Sequence, residues 1–189
     1  MAIVREFDRG SAASASHRSH DAPSAARKAG GNDDGPSADS PNAAAVWNQI
    51  MLEAIEQTNT PPTAASRAMA CESLAVFNAV SATNGTPGYL ADLPAREGAS
   101  ADAAVAQAAH DVLVTLFPSQ TAMFDAQLAV SLDAIPDSES KSEGIALGVE
   151  SAAAMIALRA GDGWNTSMPY EVGTDVGMWQ PTPPAPAFP

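Results

Sequence analysis

A single cysteine, Cys71, excludes a disulfide within the chain and leaves the redox compartment open. It falls inside a predicted helix, where its thiol reads as a small buried apolar group rather than a reactive nucleophile. Cations are scarce: nine Lys and Arg stand against 22 Asp and Glu, for a net charge of -13. Such a surface repels phosphate backbones and anionic lipid, which sets nucleic-acid and membrane-surface binding aside. No apolar run reaches the length of a membrane span. The opening Met1–Asp8 lacks the apolar stretch of a secretion signal, so the default expectation is a cytoplasmic protein. Aromatics are sparse too, at 5% of residues within a hydrophobic content of 46%. Much of that content is alanine, which buries little area per residue, so the core must rely on close helix–helix approach.

The acidity is unevenly placed. Residues 1–45 set Arg5, Arg9, Arg18, Arg27 and Lys28 against Glu6, Asp8, Asp21, Asp33, Asp34 and Asp39, which is close to neutral. The remainder has only Arg67, Arg96, Lys141 and Arg159 as cations, so almost the whole net charge lies there. Residues 1–41 are rich in Ser, Ala, Gly and Asp without periodicity and predict a disordered tail. His17 and His20 in that tail have a spacing a metal could use, but no third ligand accompanies them.

From residue 42 onward apolar residues recur at helical spacing, and no strand pattern interrupts them. Ser40-Pro41 predicts the cap and first turn of a helix over 42–58, with Val46, Trp47, Ile50, Met51, Ala54 and Ile55 on one stripe. Thr60-Pro-Pro62 predicts the start of a second helix over 62–82, with Ala65, Met69, Val76, Phe77 and Val80 as its apolar positions. Asn84-Gly-Thr-Pro-Gly88 ends it. Ser100 caps a third helix carrying Val105, Ala108, Ala109, Val112, Leu113, Leu116 and Phe117, which Pro118 terminates. Ser119 opens a fourth, with Met123, Phe124, Leu128 and Leu132. Ser138 opens a fifth that runs to Ala160, where Gly144 and Gly148 one turn apart imply a backbone packed closely against them. Arg159-Ala-Gly161-Asp-Gly163 stops that helix, with a cation at its negative end. The expected fold is all-α: a bundle of about five helices over 42–163, between a disordered tail at 1–41 and an irregular Pro/Trp segment at 164–189.

Several polar residues invite a chemical reading, and each has a plainer one. Arg67 predicts an ion pair with Glu72 or Glu150 more readily than an anion site. His110 beside Asp111 suggests acid–base work, yet no nucleophile stands at a readable spacing, so a packing role is expected. Asp162 between two glycines reads as a turn residue bonding to nearby backbone. Asp133, Asp137, Glu139 and Glu143 do not follow a calcium-loop pattern and are expected to be solvated or to cap the fifth helix. No residue is assigned as catalytic, cofactor-binding or metal-ligating.

A series of phrases resembles the N-terminal half of the vanadium-dependent haloperoxidase and PAP2-type acid phosphatase superfamily. The series begins with Trp47, Thr60-Pro-Pro62 and Ser66-Arg67-Ala-Met-Ala70. It continues through Ala106-Gln-Ala-Ala-His110-Asp-Val-Leu113, Leu116-Phe-Pro118, Ile135-Pro-Asp137 and Gly144-Ile-Ala-Leu-Gly148. Arg159-Ala-Gly-Asp-Gly163 and Gly177-Met-Trp-Gln-Pro-Thr-Pro-Pro184 complete it. The resemblance implies a first helical bundle that pairs with a second one. In that second bundle, family members hold vanadate or phosphate with a Lys and Arg cluster, a Ser-Gly-His motif and a further Arg and His. This sequence has no Ser-Gly-His, and its lysines are Lys28 and Lys141. His110 matches a scaffold helix of the family. The resemblance thus implies a scaffold portion without its own anion site, with vanadate only in a complete family member. The expected partner is a chain bearing the catalytic bundle, or a second copy of this one. The alternative is a non-enzymatic acidic helical module that docks through Trp179, Phe188 and the proline-rich 181–189.

Overall fold

Three helices begin on a side chain that accepts a backbone N–H left free by the first turn. Asn42 takes Ala45 N at 3.2 Å, Ser100 takes Ala103 N at 3.2 Å, and Ser138 takes Lys141 N at 3.1 Å. The computed structural model describes residues 42–169, 171, 173–178 and 180. Its elements are α1 (Ala43–Gln57), α2 (Pro62–Thr83), α3 (Ala101–Leu116), α4 (Thr121–Asp133) and α5 (Glu139–Arg159), with a 3-10 turn at Pro118–Gln120. Among the described residues there is no strand, and the protein is an all-α bundle.

Two predicted starts differ. The cap of α1 is Asn42, not Ser40, because the first free amide faces the Asn42 carboxamide. The start of α2 has no side-chain cap: Pro61 holds that position, and the Thr60 hydroxyl lies 2.6 Å from that of Thr58 instead. Prolines at 61 and 62 replace capping here, since Pro62 has no N–H to satisfy. Ser119 does not open α4 directly; it lies in the 3-10 turn that carries the chain from Phe117 to Thr121. The tail 1–41, Trp179 and 181–189 lie outside the described residues.

Helix α3 is the centre of the bundle and packs against each of the other four. Its small and branched residues, Ala104, Val105, Ala108, Ala109, Val112 and Leu113 among them, are buried around most of its circumference. The most extensive packing is with α5. Gly144 and Gly148 make it possible: a Cβ on Gly148 would come within 2.6 Å of Gln107 Cβ and 2.8 Å of the Ala104 carbonyl oxygen. A Cβ on Gly144 would run into the Ser100 carbonyl. The close seam lets Ser151 Oγ donate to the Ala75 carbonyl at 2.6 Å across α5 and α2, in full burial. Larger side chains fill the remaining volume: Trp47, Met51, Phe124, Leu147 and Met155 are almost wholly buried. Each contributes roughly 1.5–3 kcal/mol by removal from water.

The buried face of α2 keeps Ala65 and Val76 of the predicted stripe, with Met69 and Val80 partly buried, and departs from it at Phe77. Ala68, Cys71, Ala75, Ala79 and Ala82 face inward, while Phe77 is half exposed. At the short α2–α3 separation an alanine face fits and a phenyl ring does not. The loop from Asn84 to Ala99 folds back onto α2 and α5. Asn78 Oδ1 accepts from Tyr89 N at 2.9 Å, Ala82 accepts from Arg96 N at 3.0 Å, and Ser100 N donates to the Ser140 carbonyl at 2.8 Å.

Candidate functional site

The C-terminal end of α5 and the N-terminal half of α2 come together through one arginine. Arg67 lies in the second turn of α2 and its side chain is 14% exposed. Its Nη2 donates to the Arg159 carbonyl at 3.3 Å and to Asp162 Oδ2 at 3.0 Å. The first contact places a cation on a carbonyl left free at the negative end of α5. Asp162 is reached because Gly161, at φ 73°, turns the chain back immediately after the helix. The same carboxylate oxygen lies 3.4 Å from Arg159 Nε, and Oδ1 accepts from Trp164 N at 3.1 Å. Desolvation opposes the charge on Asp162. The Trp164 N–H and the Arg67 and Arg159 guanidiniums outweigh it and hold the carboxyl below its ordinary range. The Trp164 indole then stacks on the Arg67 guanidinium, 4.7 Å from ring centroid to Cζ.

Two clefts of about 290 Å³ adjoin this stack, and both are lined by Arg67 and Trp164. One runs toward Thr58, Thr60 and Phe117 at the α1–α2 turn and the end of α3. The other runs toward Cys71, Thr115, Met155 and Arg159 between α2, α3 and α5. Their walls are mainly apolar with a guanidinium edge, which suits them to holding an apolar group. Neither brings a hydroxyl or thiol together with a base, and so neither is arranged for covalent catalysis.

The residues singled out from sequence are scattered over the bundle. Arg67 is not paired with Glu72 or Glu150. Glu150 is taken by Arg96 at 2.5 Å, with Glu143 on the same guanidinium at 3.3 Å. Glu72 is 1% exposed, turned into the bundle with Ser73 Oγ donating to it at 3.3 Å. Burial raises its carboxyl to about 7, against the smaller opposing effect of the Ser73 hydrogen bond. Asp162 does make the local backbone bond expected of it, and adds a long-range contact to Arg67 and a local one to Arg159. Cys71 is buried in the core, as a small apolar group should be. Asp137 holds Lys141 Nζ at 2.8 Å, and that lysine also donates to the Ile135 carbonyl at 3.0 Å. Glu139 lies in the first turn of α5. His110 packs edge-on to Trp47 with ring centroids 6.3 Å apart, and binds Asp111 and Asp125. His17 and His20 lie outside the described residues.

Trp164, Asp125 and the buried state of Glu72 were not singled out from the sequence. Trp164 follows a glycine-flanked stop, a position that brings a side chain back over the helix end it has just left. That signal alone could have been read. Among the described residues no group of three or more His, Cys, Asp and Glu could hold a metal ion. No helix among them is long and apolar enough to cross a membrane. No family, no curated protein and no solved structure matches this chain.

Proposed function

We propose that this chain is a helical scaffold that docks a second helical body against its α2–α5 end, through the Arg67–Trp164 clasp and the segment that follows it. The carrying observation is the contrast between the paired charges of the described residues and the apolar groups that follow α5. Arg67, Arg96, Lys141 and Arg159, the cations of the described residues, are each bound to carboxylates of the chain itself. His110 is likewise held by two carboxylates. A trianionic oxoanion needs convergent cations free to meet it. The described residues do not fit vanadate or phosphate. The segment after α5, in contrast, presents Trp164, Met168, Val176 and Met178 to solvent, a density of exposed large apolar groups that marks an interaction surface.

The resemblance to haloperoxidases and acid phosphatases names the second body: the bundle that holds the oxoanion in that superfamily. On that reading this chain supplies rigidity and an apolar docking edge, and the partner supplies the chemistry.

Two measurements on the full chain test the proposal. Sedimentation at micromolar concentration should show self-association through the uncovered edge, and replacing Trp164, Met168 and Met178 together by serine should abolish it. Vanadium magnetic resonance with added orthovanadate should show no line broadening by this chain alone. Tight vanadate binding, or a strictly monomeric wild type unaffected by the triple change, would sink the scaffold reading. The runner-up, an acidic module for a cationic partner, draws on Glu53, Glu56, Asp92, Asp102 and Asp133, which make no ion pair among the described residues. It predicts binding that weakens steeply with salt, which apolar docking does not.

A further inference from the structure

Both ring nitrogens of His110 face carboxylates. Nδ1 lies 2.7 Å from Asp111 Oδ1 on the same helix, and Nε2 lies 2.8 Å from Asp125 Oδ1 on α4. A neutral imidazole has one N–H and one lone pair. In that form, one of the two contacts would set a lone pair against an anionic oxygen; only the imidazolium donates to both. Gln107 Nε2 donates to the same Asp111 oxygen at 2.8 Å, which holds that carboxylate in place. Trp47 of α1 meets the imidazole edge-on, and its own indole N–H is buried without a partner among the described residues. Among the described residues, Asp111 and Asp125 are the charged groups in contact with the ring, and α1 brings only the indole.

The element at the far side of this contact rests mainly on α3, with Met123, Leu128 and Leu132 partly buried there beside Phe124. Helix α4 packs on α3, and Phe124 is its one fully buried side chain. The 3-10 turn at Pro118–Gln120 precedes it and a non-helical stretch from Ala134 to Ser138 follows it, so the helix is broken on each side of α4. Asp125, which grips His110, is the residue next to Phe124.

We propose that His110 is a pH-dependent latch holding α4 on α3: the imidazolium closes it, and loss of the ring proton releases α4 together with Phe124. The Asp111 hydrogen bond is the main cause raising the His110 pKa above its ordinary 6.5; burial opposes it, and Asp125 adds to it. A raised folded-state value means the latch is complete below about 6.5 and is lost as pH rises through that raised value. Asp125 is largely exposed, so added salt weakens its arm of the latch.

The test is magnetic resonance on the full chain. The His110 Cε1–H signal, identified by its disappearance in His110→Gln, is titrated from pH 5 to 10. In the same samples, amide exchange in α4 is expressed as a ratio to that in α3, which cancels the intrinsic effect of hydroxide. The expected result is a midpoint above 6.5 and an α4 protection ratio that falls across it, about tenfold for each unit of elevation. Asp125→Asn removes the anion while leaving a group that bonds to either ring tautomer, and should flatten that dependence. A midpoint at or below 6.5, a constant ratio while His110 titrates, or an unaltered slope in Asp125→Asn overturns the latch. Should Asp125→Asn fail to fold, the wild-type ratio decides by itself.

Discussion

Arg67 on α2 and Asp162 beyond α5 stand 95 residues apart in the chain and meet at 3.0 Å. Around that contact the protein closes its helix end, orders Trp164 and shapes both clefts. It also takes two of the few cations out of circulation, since Arg159 shares the same carboxylate.

Arg67→Met keeps much of the aliphatic stem and removes the guanidinium. The Arg67–Trp164 stack at a partly exposed site is worth about 0.5–1 kcal/mol, and the lost hydrogen bond to the Arg159 carbonyl adds to it, so global stability should fall by about 1–2 kcal/mol. The local effect should be larger. Trp164 should be quenched more readily by acrylamide, and the Gly161–Gly163 turn should be cleaved faster by protease. A variant with wild-type quenching and cleavage would show that the clasp does not hold the segment.

Gly148→Ala improves intrinsic helix propensity by about 1 kcal/mol. It also drives a methyl to within 2.6 Å of Gln107 Cβ, 2.8 Å of the Ala104 oxygen and 2.9 Å of Ala108 N. Two of these are backbone atoms of α3 that cannot move aside. Overpacking should win, with a net loss of about 1–3 kcal/mol in urea unfolding. A gain in stability would mean that α3 and α5 are further apart than described.

Glu72→Gln isolates a buried carboxyl. The Glu72 pKa is raised by burial from 4.5 to about 7, so the folded state binds the proton more tightly than the unfolded state. Stability contributed by protonated Glu72 is therefore present below pH 4.5 and declines as pH rises toward about 7. The decline is on the order of 3 kcal/mol at most. The substituted carboxamide cannot ionise and should remove that slope, making the variant the more stable protein at pH 8. Equal urea midpoints for the two proteins at pH 5 and pH 8 would place the carboxyl in contact with water.

Ser100→Ala deletes the side-chain acceptor for Ala103 N at the start of the central helix. A loss of about 1 kcal/mol is expected, with Ser100→Asn close to wild type because it keeps an acceptor. Thermal unfolding of the pair checks this; equal losses in both would point to the Ser100–Ser140 backbone contact instead of the cap.

What could be read in advance was local. The caps at Ser100 and Ser138 and the stop at Gly161 depend on atoms within one helical turn, so residue type and spacing suffice. Gly144 and Gly148 were legible for a different reason: a glycine pair in a helix carries a cost that only a close neighbour offsets. The inward face of α2 was legible only in part: Ala65 and Val76 are buried as expected, but alanine is a weak hydrophobic signal. Phe77 dominates the stripe by size, yet the short separation from α3 and α5 admits Ala75 and Ala79 and turns the phenyl ring outward. Arg67 was matched to the wrong acids. Glu150 was already taken by Arg96, and Glu72 faces inward, both decided by how α2, α5 and the 84–99 loop pack.

The amino-acid sequence by itself determined the helices, their approximate ends, the absence of a strand pattern and the acidic balance. Each of these rests on composition or on contacts within one turn of chain. Tertiary structure alone decided that Arg67 closes on Asp162 and Trp164, that His110 bridges α3 and α4, and that Glu72 is cut off from water. Those relationships join side chains from different elements. Their distances follow from how closely alanine and glycine faces let the helices approach, a quantity that no local pattern carries.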